Sequence, residues 1–116
     1  MSWIGVDLDG TLARYEGFGD GLIGPPVPAM LTRVQEWLRR GYQVRVVTAR
    51  AGTREGVKQV ERWLQTHGLE GVDATDRKDY DMIELWDDRA VRVEANTGRR
   101  ISASIIEAAD VPRKGE

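Results

Sequence analysis

The stretch Trp3-Ile4-Gly5-Val6-Asp7-Leu8-Asp9-Gly10-Thr11 decides how this chain is read. Its first six residues are almost continuously apolar and partly β-branched, the pattern of a strand buried on both faces of a parallel sheet. The strand breaks at Asp9-Gly10-Thr11, where a glycine between two short polar side chains favours a turn. A parallel neighbour has to be reached by a long crossover, so helices are expected to follow.

Working outward, residues 13–27 hold Gly17, Gly19, Gly21, Gly24 and then Pro25-Pro26. Connections in compact domains run to ~4–6 residues, so a stretch of this length is either disordered or functional. Pro28 suits the first turn of a helix, where its missing N–H costs nothing. Leu31, Val34, Trp37 and Leu38 then form one apolar stripe, and Arg39-Arg40-Gly41 ends it. Val44-Arg45-Val46-Val47 reads as a second strand, ending at Thr48-Ala49-Arg50. Thr53 is placed to cap a second helix, with Glu55 in its first turn, a stripe of Val57, Val60, Trp63 and Leu64, and Gly68 at its close. His67 falls in that last turn and reads as a helix-end residue.

Val72-Asp73-Ala74-Thr75 predicts a short third strand, and Met82-Ile83-Glu84-Leu85-Trp86 a fuller one that ends at Asp87-Asp88. Val91-Arg92-Val93-Glu94-Ala95 alternates like a half-exposed strand before a turn at Asn96-Thr97-Gly98. Residues 101–109 read as a final helix, and those from about 110 onward as a tail. Strand–helix alternation predicts an α/β fold, a three-layer Rossmann-like parallel sheet with flanking helices.

Composition narrows the options. A chain of 116 residues has room for one domain, 1–116, and no separate substrate-binding domain. There is no cysteine, which excludes disulfides, thiolate catalysis and cysteine-ligated metal sites; the single histidine excludes a two-histidine metal site. Seventeen Lys and Arg stand against nineteen Asp and Glu. The pairs Arg39-Arg40 and Arg99-Arg100 are too short for the basic stripe of a nucleic-acid binder, so nucleic acid is not indicated. No apolar run reaches the ~20 residues of a membrane span, and no signal-peptide pattern opens the chain, so a cytoplasmic protein is expected.

The chemistry is expected where the strands end. In open parallel sheets ligands bind beyond the carboxyl ends of the strands. There this sequence puts Asp7 and Asp9, then Thr48, then Asp87 and Asp88, with Lys78 just ahead of the last strand. Carboxylates so gathered repel one another unless a cation joins them, and an all-oxygen donor set suits Mg²⁺.

Asp7-Leu8-Asp9-Gly10-Thr11 matches the DxDGT signature of the haloacid dehalogenase (HAD) superfamily, mainly phosphatases, and the chain resembles that family from about Trp3 to Arg89. The family's other motifs follow in order: an apolar strand ending in Thr48, then a lysine, then the acidic pair Asp87-Asp88. The resemblance implies a Mg²⁺-dependent phosphomonoester hydrolase. Asp7 would be the nucleophile that forms an aspartyl-phosphate, and Asp9 the general acid and base, its carbonyl also a metal ligand. Thr48 and Lys78 would hold the phosphoryl group, in a phosphate site completed by Gly10, Thr11, Ala49 and Arg50. Asp87 and Asp88 would complete the metal site. Lys78 stands unusually close to Asp87, and Arg77 is an alternative for its role.

No insertion is long enough for the cap domain that many HAD enzymes carry. Capless members act on large substrates at an open site or borrow a neighbouring subunit as a lid, so a phosphorylated substrate and a homo-oligomer are the partners implied. Arg14, Tyr15 and Phe18 on the 13–27 stretch, with Arg50 and Arg54 opposite, are expected to meet the leaving group. Two other readings stay open: a receiver domain, although receivers place the acidic pair after the first strand, and a HAD-like scaffold without turnover.

Overall fold

A computed structural model describes residues 1–17 and 21–104. Its elements in chain order are β1 (Trp3–Asp7), α1 (Pro28–Arg39), β2 (Gln43–Val47), a 3₁₀ turn (Ala49–Gly52), α2 (Arg54–Thr66), β3 (Asp73–Thr75) and β4 (Met82–Trp86). The strands form one sheet in the order β3-β2-β1-β4, and every pairing is parallel. The chain is thus a small α/β fold, compatible with a Rossmann-like arrangement.

The local signals act as expected. Pro28 opens α1 and Gly41, at φ 87°, lies just past its end. The Thr53 hydroxyl caps α2 by accepting from the N–H of Gly56, and Glu55 sits in the first turn where the helix dipole favours a negative charge. His67 forms the C-cap of α2, its ring packed 4.6 Å from that of Trp63.

β1 is central because both of its faces are covered: Trp3, Ile4, Gly5 and Val6 are all buried. Ile4 pairs with Val44 and Val6 with Val46, so these four side chains share one face of the sheet. They join a single core with Met30 and Val34 of α1 and Val60, Trp63 and Leu64 of α2. Each such side chain, fully buried, contributes about 1.5–3 kcal/mol. Both helices therefore pack on the same face.

The opposite face carries Trp3, which is fully buried yet stands outside that core. Its indole N–H donates to Asp79 at 2.8 Å, and the Arg45 guanidinium lies 4.4 Å from its ring centroid. The indole bond, with the Asp81 amide and nearby Arg45, holds the Asp79 carboxyl below its usual range. Next to Trp3, a Cβ on Gly5 would come within 2.9 Å of the Met82 sulfur.

Here the expectation of three layers needs correction: among the described residues, helices cover one face only. The connection from β3 to β4 has to pass from one edge of the sheet to the other across β2 and β1. Residues 76–81 make that passage as a non-helical segment, too short for a packed helix.

Two further expectations change. Residues 91–95 do not join the sheet. Val93 makes one isolated bridge to Arg100, and Asn96, at φ 69°, closes a small turn instead. Residues 101–104 are not helical, while the rest of the predicted helix and the tail lie outside the described residues, as does Phe18. No helix among the described residues is long and apolar enough to cross a membrane.

Candidate metal and phosphate site

Parallel pairing sets the carboxyl ends of β1, β2 and β4 side by side, and a cleft of about 550 Å³ opens there. It is lined by Asp7, Asp9, Tyr15, Gly21, Thr48, Ala49, Arg50, Asp87 and Arg89. Seven of these, all but Gly21 and Arg89, were expected at the site from sequence alone.

Asp7 and Asp87 each follow the Val6–Trp86 pair on adjacent strands. Asp7, Asp87 and Asp88 bring carboxylate oxygens within 4.8 Å of one another. Thr11 ties this group together: its hydroxyl lies 3.0 Å from Asp88 Oδ1 and 3.4 Å from Asp7 Oδ2, and it accepts the Asp88 N–H. The Asp87 carboxylate accepts the Arg89 N–H at 2.7 Å, which fixes the turn after β4. Burial, a hydrogen bond with Asp88 and the charges of Asp87 and Asp88 push the Asp7 carboxyl up to about 7, against the Leu8 amide, which favours its charged form. A proton thus relieves the crowding at neutral pH. The donors are all oxygen, so these three carboxylates could hold a hard divalent cation, the class to which Mg²⁺ belongs.

On the β2 side, Thr48 is buried and its hydroxyl accepts the N–H of Arg50, starting the 3₁₀ turn. The Arg50 side chain forks onto Asp9, with Nε 2.7 Å from Oδ2 and Nη2 3.1 Å from Oδ1. Its guanidinium also donates to the carbonyls of Gly21 and Leu22. Gln59 reaches the same Gly21 carbonyl, and the Trp63 indole N–H donates to Gly24 O at 2.9 Å. Residues 21–24 are therefore pinned to the 3₁₀ turn and α2, and Ala13 pairs with Pro26 at the loop's base.

Lys78 is not brought to this cleft. It is exposed and lines a separate depression with Asp79 and Tyr80, because the passage 76–81 follows the sheet face toward Trp3. Arg77 is exposed and pairs with Asp76. Arg89, which the sequence reading did not single out, lines the cleft instead; its place directly after the acidic pair was the available signal. Arg14 pairs with Glu16, and neither Arg14 nor Arg54 lines the cleft.

No protein-family model, curated protein or solved structure matches the chain.

Proposed function

We propose that this chain is a HAD-type, Mg²⁺-dependent phosphomonoester hydrolase acting through an aspartyl-phosphate. One observation carries the reading: the oxygens of Asp7, Asp87 and Asp88 meet within 4.8 Å, and Asp7 and Asp87 line one cleft with Asp9 and Thr48. Asp7, Asp87 and Asp88, with the Asp9 carbonyl, would hold the ion. When bound, Mg²⁺ supplies positive charge that offsets the carboxylates and the incoming phosphoryl oxygens.

The chain's own residues do the rest. An Asp7 oxygen attacks phosphorus as the bond to the leaving oxygen breaks, and Asp9 gives that oxygen a proton. Water then attacks the aspartyl-phosphate, Asp9 takes the water's proton, and inorganic phosphate leaves with Asp7 restored. The Thr48 hydroxyl, buried at the end of β2, donates to a phosphoryl oxygen, and Arg89 adds charge at the rim. The cleft, with no cap over it among the described residues, suits a substrate whose bulk stays outside or a second subunit acting as lid.

The test is release of phosphate from p-nitrophenyl phosphate with and without Mg²⁺, by the parent protein and by Asp7→Asn. Metal-dependent turnover lost in Asp7→Asn supports the reading. Equal turnover by both proteins sinks it, and stable labelling without turnover would favour a receiver-like module.

A further inference from the structure

One guanidinium joins two parts of the cleft that are distant in sequence. Arg50 grips both oxygens of Asp9, and such a fork fixes the plane of a carboxylate as well as its position. The same group donates to Gly21 O at 2.6 Å and to Leu22 O at 3.3 Å. The Arg50 and Asp9 side chains are only 20% and 25% exposed, so this is not the freely hydrated pair of a protein surface.

The backbone beneath Arg50 is fixed as well. Its N–H donates to Thr48 Oγ1 at 3.1 Å. Its carbonyl is approached so closely by Gly56 that a Cβ there would lie 1.7 Å from the oxygen. A guanidinium on so firm a base can hold two other segments in register.

We infer that Arg50 is a positioning residue that makes the orientation of Asp9 and the seating of the loop at Gly21-Leu22 one state. The inference rests on the acid–base role proposed above for Asp9. With the fork intact, both Asp9 oxygens accept from Arg50, so the plane of the carboxyl is fixed, while Gly21 lines that side of the cleft. Breaking the fork frees the plane of the Asp9 carboxyl and loosens the guanidinium that holds Gly21-Leu22, leaving the Gln59 bond to Gly21 O as a remaining side-chain anchor at that point. A lysine at position 50 keeps the charge but has neither the fork nor the reach to hold both partners.

Two measurements test this. The first needs no substrate: the rate of tryptic cleavage between Arg14 and Tyr15 is followed by mass spectrometry. Asp9→Asn replaces one acceptor oxygen with an amide NH₂ that cannot accept from Arg50. Cleavage should accelerate severalfold in Asp9→Asn and in Arg50→Lys, and stay at the parent rate in Asp87→Asn. The last variant removes a carboxylate from the same cleft without touching the fork. Parent-like cleavage in Asp9→Asn overturns the coupling, and so does equal acceleration in all three variants.

The second measurement uses leaving-group dependence. Nitrophenolate departs without a proton, whereas an alkoxide needs one from Asp9. Arg50→Lys should therefore lose about tenfold more kcat/KM on β-glycerophosphate than on p-nitrophenyl phosphate. Equal losses on the two esters mean that Arg50 supports the fold without orienting Asp9. A parent protein that hydrolyses neither ester overturns the hydrolase reading and, with it, this role for Arg50.

Discussion

The Asp88 carboxylate occupies the place where a side chain on Gly10 would begin: a Cβ there would lie 2.6 Å from Asp88 Oδ2. Gly10 also sits at φ 95°, a conformation that side-chain-bearing residues reach only at a cost of about 1–3 kcal/mol. The glycine of the first turn thus makes room for an acid contributed from the far end of the chain. Gly10→Ala should lower stability by about 1–3 kcal/mol in a denaturant titration. It should also weaken Mg²⁺ binding, because Asp88 has to move. Unchanged metal affinity in a folded Gly10→Ala protein would detach Asp88 from the site.

The crowding at Asp7 has a sign that stability measurements can read. Its carboxyl stands at about 7 in the folded protein against 3.8 as its ordinary value. Between those values the folded chain holds a proton that the unfolded chain has released, so stability falls as pH rises through that window. The metal-free protein should therefore melt at a lower temperature at pH 8 than at pH 5.5. Asp7→Asn should flatten this contribution and melt several degrees above the parent at pH 8. A parent melting temperature that rises steadily from pH 5.5 to 8 would show that Asp7 does not carry this strain.

How much of this was legible in the sequence follows from where each signal originates. β1 could be read because a central strand is apolar throughout, and α2 because its cap, first-turn acid and stripe agree. β4 could be read from its apolar run, although it lies at the sheet edge, where Ile83 is 54% exposed. Residues 91–95 alternate correctly for a strand but have no sheet to join, and alternation alone does not supply one. The acidic group was legible because motif order and strand ends both point to it. The grip of Arg50 on Asp9 was not, since nothing local links residues that far apart. Lys78 was placed by motif order alone, and the path of residues 76–81 takes it elsewhere.

Metal dependence is the next expectation. Without any substrate, Mg²⁺ should raise the melting temperature at pH 8, since a ligand at 100 times its Kd adds about 2.7 kcal/mol to a folded state that alone binds it. Asp87→Ala should abolish that rise. Ca²⁺, which takes more oxygen ligands at longer distances, should bind and raise the melting temperature while inhibiting turnover, by drawing both Asp7 oxygens onto itself. Full activity in excess EDTA would remove the metal role of Asp87.

The last expectation separates two cations. Motif order assigns the phosphate-facing charge to Lys78, whereas the fold puts Arg89 on the cleft wall and Lys78 in a depression beside Asp79 and Tyr80. A positive charge helps transfer only where it faces the developing negative charge, and in water its effect fades over about 10 Å at 0.1 M salt. Arg89→Ala should therefore reduce kcat/KM on p-nitrophenyl phosphate by about 10²-fold, the size of effect seen when one stabilising donor is lost. Lys78→Ala should stay within about twofold of the parent, the range of surface changes within ±0.5 kcal/mol. Both variants alter exposed side chains and should melt like the parent, so the comparison reads catalysis and not folding. A large loss in Lys78→Ala with Arg89→Ala unaffected would mean that residues 76–81 turn toward the cleft when substrate arrives, and that motif order is the better guide to the cation.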